Sequence, residues 1–189
     1  MVIFTKTKFC YFSNIFGKTI TVASLLKQDW KIVMDLNGLI WTKNVKPLNG
    51  EDWAYHSIPT IYPDLKIFAL HWRNFQGGDE INANTPQQDE LIILRQRSKV
   101  THIVKVLDKQ FSFDKNAGDE FNIYRLVQVA WIADNWATPP DTNKVFDCVI
   151  KFPRNGKAIK LENIHIFQEH WSKKEVAFQH HVQSVLNIH

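Results

Sequence analysis

The residues whose types could do chemistry crowd into one short stretch, His71-Trp72-Arg73-Asn74-Phe75. A flat ring, a guanidinium and an amide side by side are the groups that stack on a planar ligand and hydrogen-bond its edges. Asp134-Asn135-Trp136 pairs an amide with an indole again. If Trp72 and Trp136 line a pocket, stacking supplies on the order of 1–3 kcal/mol per base, and Asn74 or Asn135 reads an edge through its paired donor and acceptor. The plainer use of the same residues is Trp72 as core, with Arg73 and Asn74 capping the next turn. The turn Arg95-Gln96-Arg97-Ser98-Lys99 carries three cations, and Lys151, Arg154, Lys157 and Lys160 surround a second turn. Both sets suit phosphate, with an affinity that falls steeply as salt rises, or simple solvation of a turn.

Residues that could make or break bonds do not assemble in this way. Cys148 follows Asp147 in an expected strand and reads as a small buried apolar side chain. Gly77-Gly78 is not followed by Lys, so it opens no phosphate loop. Alternation puts Asp147 and Lys151 on one strand face, but a metal-dependent nuclease needs a second carboxylate. Among the eight histidines, His180 and His181 are adjacent and point about 100° apart on a helix. His165 and His170 lack a carboxylate or thiol to complete a metal set. His102, in the run VTHIVKV, shares a face with Val100 and Val104 and reads as a core or rim histidine. The sequence thus implies no enzyme, no metal and no cofactor.

The elements that must position these groups follow from periodicity. Asn37-Gly38 between two apolar runs is a hairpin signal, with Trp41 on the returning strand. Residues 47–63, rich in Pro, Asn, Gly, Asp and Tyr, read as a loop or boundary. A strand is expected at 66–72, then a polar loop over 76–88 with a short helical turn near 79–82. Strands at 91–94 and 100–107 join across Gln96-Arg97-Ser98, and 121–132 forms a third long strand. Runs such as LVQVAWI suggest strands covered on both faces. After the break at Thr138-Pro139-Pro140-Asp141, a strand over 145–152 is expected to turn through Asn155-Gly156 into 158–161 as a second hairpin. Ser172-x-x-Glu175 has capping-box spacing, and Phe178, Val182, Val185 and Leu186 form one apolar stripe of a terminal helix that closes the core.

Composition bounds the rest. With 189 residues, 44% of them hydrophobic, the chain can bury a full core. Seven Trp and thirteen Phe exceed what such a core needs, so some rings belong at a surface. A net charge of +4 permits contact with phosphate without the dense cationic footprint of a dedicated polyanion binder. Cys10 and Cys148 are far apart, which argues for a reduced, cytoplasmic protein without a disulfide. Lys6, Lys8 and Lys18 interrupt the apolar N-terminus, so neither a signal peptide nor a membrane span is expected.

The order of elements resembles the EVE domain of the PUA-like superfamily, compact β-barrels that hold a flipped, often modified base in an aromatic pocket. His71-Trp72-Arg73-Asn74 is similar to that family's Trp-x-x-Arg-Asn segment, with the Trp-to-Arg spacing two residues shorter. Gln88-Asp89-Glu90-Leu91 is similar to its strand-opening Gly-Asp, with Gln for Gly. VFDCVIKF, GKAIKLENI and Asp134-Asn135-Trp136 match its late strand, its turn into a helix and its ligand-edging loop. The likeness covers about 67–167. Leu94-Arg95-Gln96 stands where the family has an aromatic residue followed by His-Ser, and the first sixty residues have no counterpart.

The resulting expectation is an α+β protein: a PUA-like antiparallel barrel with flanking helices over 63–189, and a β-rich N-terminal extension over 1–62 packed on it. The resemblance implies nucleic-acid binding, to DNA or RNA, with Trp72, Arg73, Asn74, Asn135 and Trp136 lining a base pocket and Arg95, Arg97 and Lys99 touching phosphate. The alternative is a protein-interaction or sensor subunit of a bacterial defence or signalling assembly, with a patch around Phe9, Tyr11, Phe12 and Phe16 as its interface.

Overall fold

Strands whose side chains alternate between two apolar faces must be covered twice, and the way this sheet achieves that decides where a site is left open. The computed structural model describes residues 34–47, 52–56, 65–74, 79–114 and 119–188, all within one compact unit, Val33–His189. Their strands are β1 (Leu39–Asn44), β2 (Ile67–Trp72), β3 (Leu91–Gln96), β4 (Lys99–Val106), β5 (Ser112–Phe113), β6 (Ile123–Ile132) and β7 (Ala158–Lys160). The helices are α1 (Asp79–Asn84), α2 (Thr142–Phe146), α3 (His165–Trp171) and α4 (Phe178–Val185). The strands form one sheet in the order β2-β6-β4-β3-β1-β7, with β5 paired to the start of β6.

The sheet is mixed: β1 runs parallel to β3, and the remaining pairs are antiparallel. This corrects the expected antiparallel barrel. Register shifts at Leu39/Trp41, Leu94/Arg95 and Ile103/Val104 bend neighbouring strands and increase their twist, and the sheet curls into a half-barrel. Inside the curl, Phe68, Leu70 and Trp72 of β2 pack with Trp41 of β1 and Ala158 of β7, from the far side of the sheet. On the outer face, Leu91, Ile93, Val100 and Ile103 are covered by Val145, Phe146, Phe167, Phe178 and Val182 of the helices. Phe178 lies 5.7 Å from Phe146 and 4.9 Å from Phe167, ring to ring.

β1, expected in the N-terminal extension, is an interior strand between β3 and β7. Asn37-Gly38 does form a turn, but 34–36 is not strand, and Leu91 N–H donates to the Gly38 carbonyl at 2.8 Å. A Cβ on Gly38 would lie 3.2 Å from the Asp89 carbonyl oxygen, so the glycine admits the close approach of β1 to the start of β3. The aromatic patch at Phe9, Tyr11, Phe12 and Phe16 lies outside the described residues.

Two further expectations are corrected. Residues 145–152 form no strand. Residues 142–146 are α2, ended by Asp147 in the left-handed conformation (φ 53°), and 158–160 pairs with β1 instead of forming a hairpin. The β-branched run was a poor guide because Val145 and Phe146 are buried from a helix against the outer face, where packing outweighs strand propensity. Ser172 does not open the last helix. It caps the C-terminus of α3, and Ala177 precedes α4. The stripe itself forms, with Phe178, Val182 and Leu186 buried.

Candidate functional site

Two tryptophan-centred regions result, and they divide the residues that the sequence singles out. The first is the seam where the curled sheet brings β2 toward β7. Trp72 is 1% exposed. Its indole Nε1 donates to Asn82 Oδ1 at 3.0 Å, and the same oxygen accepts Ala158 N–H at 2.8 Å. Asn82 Nδ2 donates to the Ala158 carbonyl at 2.9 Å, so this amide of α1 supplies both halves of a strand partner to β7. Lys43, 2% exposed, sits 4.4 Å from the Trp72 ring and donates to the Gly156 carbonyl. Burial pulls Lys43 from 10.5 to about 7, against the attraction of Asp79 and with help from Arg95. Arg125 secures the far end of α1. Fully buried, it donates to the Ala83 and Pro86 carbonyls at 2.7 and 2.8 Å and pairs with Asp108 at 2.5 Å.

Trp72 is therefore core, and no ligand stacks on it as the seam stands. Arg73 Nε pairs with Glu120 at 2.9 Å, and Asn74 Nδ2 donates to Asn122 Oδ1 at 2.8 Å. His71 is pushed down by burial, opposed by Asp114. Arg95 is 4% exposed, its guanidinium 3.6 Å from the Phe152 ring centre and its Nε donating to Thr42 Oγ1 at 2.6 Å. Burial lowers its pKa to about 10, and it does not reach the turn surface. Lys99 is tied to Asp141 at 2.7 Å.

The second region lies where the β3–β4 turn, the loop after β6 and residues 52–56 converge. Trp136 is half-buried, with ring centres 4.5 Å from His56, 5.4 Å from His102 and 6.3 Å from Trp53. The Arg97 guanidinium lies 5.5 Å from the half-buried Trp53 ring, and both Arg97 and His56 are exposed. Tyr55 and Phe68 complete the floor around His102, at 6.4 and 6.1 Å. Residues 52–56 are held by one buried amide: Gln96 Oε1 accepts Ala54 N–H and Gln96 Nε2 donates to the Asp52 carbonyl, both at 2.8 Å. The Tyr55 hydroxyl accepts the main-chain N–H of His71 at 3.0 Å, and burial raises its pKa to about 12.

His102 is the chemical exception in this region. It is fully buried, its Nδ1 lies 3.0 Å from Thr101 Oγ1, and its Nε2 has no hydrogen-bond partner among the described residues. Burial pulls it down to about 4; the Tyr55 main chain opposes that shift in part and His56 adds to it, so the ring is neutral at pH 7. Asn135 stands beside the cluster, exposed, its Oδ1 accepting Ala137 N–H at 3.0 Å, which shapes the loop carrying Trp136.

Of the residues the sequence singles out, the structure thus brings together Trp136 and Arg97, with Asn135 at the edge, and separates them from Trp72, Arg73 and Asn74. Trp53, Tyr55 and His56 were missed because they sit in a loop without periodicity, although three rings in four residues, Trp53-Ala54-Tyr55-His56, was a compositional signal. Asp147 meets His170 and Lys174, each at 3.0 Å, and not Lys151; those contacts hold its carboxyl below the usual range. Burial and Asp147 push the Cys148 thiol up, away from nucleophilic character. Among the described residues no helix is long and apolar enough to cross a membrane. No protein-family model, curated protein or solved structure matches the chain.

Proposed function

We propose that the half-barrel is of the PUA-like kind its sequence resembles and that it binds nucleic acid, taking a base against the Trp53–Trp136–His56 surface. The observation that carries this reading is the convergence of two half-exposed indoles, an exposed imidazole and the Arg97 guanidinium from three separate segments. Aromatic faces accept any base, and a nearby guanidinium adds attraction to both ring and phosphate. Stacking contributes on the order of 1–3 kcal/mol per base, similar to the few kcal/mol that extruding a base from a duplex costs. Single-stranded or locally opened DNA or RNA is therefore the favoured ligand. The element order also supports the reading: a tryptophan strand, a short polar helix, an acidic turn, a hairpin and a long strand.

The test is a tryptophan-fluorescence titration with short DNA and RNA oligomers, plain and base-methylated, at two salt concentrations. Saturable quenching that weakens with salt and disappears in Trp136→Ala is the expected result. The absence of quenching with every oligomer sinks the reading and turns attention to the same aromatic surface as a protein interface, since aromatics and Arg also dominate those.

A further inference from the structure

Residues 52–56 belong to no helix or strand, yet they carry two rings of the aromatic surface, so groups outside the segment must fix where those rings stand. Gln96, 3% exposed, ties its start: the amide oxygen takes the Ala54 N–H and the amide nitrogen donates to the Asp52 carbonyl, each at 2.8 Å. The Tyr55 hydroxyl ties its far end by accepting the His71 N–H at 3.0 Å. The two main-chain groups that Gln96 holds lie on either side of Trp53. One amide thus fixes the backbone that aims this indole, as a neighbouring strand would. Burial follows the same division, with Ala54 buried, Trp53 half-buried and His56 exposed.

Gln96 also stands next to the cation of the surface. It is the last residue of β3, and Arg97 and Ser98 follow in a two-residue turn with left-handed backbones, φ 51° and 60°. Asn-Gly adopts such a turn with little strain, whereas Arg and Ser are held in it against their preference. In that turn the Arg97 guanidinium lies 5.5 Å from the Trp53 ring. We infer that Gln96 is the positioning residue of the nucleic-acid site: it keeps Trp53 in register with Arg97, so that indole and guanidinium meet a nucleotide as one preformed unit. A segment already ordered loses little conformational freedom on binding, and the affinity gains accordingly. This rests on the aromatic surface being the nucleic-acid site. The ligand is a nucleotide within a single strand, its base on the indoles and its phosphate on Arg97.

The experiment measures binding of labelled single-stranded DNA and RNA oligomers in a double-mutant cycle. Gln96→Met keeps the side chain's length and removes both hydrogen bonds, and it is expected to weaken binding about tenfold. Introduced into Trp53→Ala it should cost about twofold or less, because the ring it positions is gone. An undiminished loss in the Trp53→Ala background, or no loss in the wild-type background, overturns the role of Gln96 while leaving nucleic-acid binding intact. A wild type that binds no oligomer removes both readings. Because Gln96 is buried, Gln96→Glu supplies a second test. A protonated carboxyl accepts through one oxygen and donates through the other as the amide does, whereas a carboxylate cannot donate to Asp52. The ratio of wild-type to Gln96→Glu affinity should therefore fall from about tenfold at pH 8 toward one at pH 5, burial favouring the protonated form. A ratio that stays constant across that range overturns the inference.

Discussion

The two tryptophan regions use the same components and leave them in opposite states. At the seam, a cation lies over an indole and an amide side chain replaces a missing strand partner: Lys43 over Trp72, and Asn82 on Ala158. In the aromatic region Arg97 lies over Trp53 and Gln96 holds residues 52–54 in the same two-handed way. At the seam the indole is buried and its N–H is paired. In the aromatic region the indoles are half exposed, and Trp136 lies against the buried His102 ring. Residue type alone therefore does not separate structure from recognition. What separates them is whether the indole is buried with its N–H paired, as in Trp72, or left half exposed, as in Trp53 and Trp136.

The largest expected effect breaks the seam. Asn82→Ala removes three hydrogen bonds and leaves the Trp72 indole and both main-chain groups of Ala158 unpaired, which should cost about 3 kcal/mol by denaturant unfolding. A loss under about 1 kcal/mol would show that the seam is not held as described. The next pair sharpens the contrast. Trp136→Ala should weaken oligonucleotide binding about tenfold or more with less than about 1 kcal/mol of stability lost. Trp72→Phe should do the reverse, lowering the melting temperature with affinity unchanged. If Trp72→Phe impairs binding at temperatures where it is folded, the regions are not separate.

A smaller effect is read through pH. Lys43 holds its proton less tightly folded, at about 7, than unfolded, at 10.5. Between those values the unfolded chain binds more protons, so stability rises with pH; below about pH 7 both states are protonated and the penalty is complete. Asp79 and Arg95 are the charged neighbours that act on Lys43, His71 is the titratable one, and Lys157 lies 3.8 Å from Asp79. Lys43→Met should abolish the rise in melting temperature from pH 7 to 9.5, and a variant that keeps that slope would place its origin elsewhere. The smallest effect is at the rim. Arg97→Ala should reduce affinity a few-fold and flatten the salt dependence by about one counterion, with unfolding unchanged within about 0.5 kcal/mol.

Periodicity made most of the sheet legible. β2, β3, β4 and β6 fall within a residue or two of where β-branched and apolar runs place them, and the short helical turn after Trp72 is α1. The parallel pairing of β1 was not legible, because nothing local specifies which strand edge a segment meets. Residues 145–152 misled because a short apolar run fits a buried helix as well as a strand. At the site, Trp136 and Arg97 were recognisable by type, whereas Arg95, two residues away, is buried because it still lies in β3 while Arg97 stands in the turn with a left-handed backbone (φ 51°). Lys43, Asn82 and Gln96 were not legible at all, since their roles depend on main-chain groups 42 to 113 residues away in sequence that only the curl brings near.

The position of β1 also bears on how the chain is made. One of its edges pairs with β3 and the other waits for β7, which follows more than a hundred residues later. At ribosomal speed that interval is on the order of ten seconds, during which a nascent half-barrel presents an open strand edge beside Trp41. A chain interrupted before Ala158 keeps that edge, so premature termination should yield a sticky fragment even though every residue of the aromatic surface has already been synthesised.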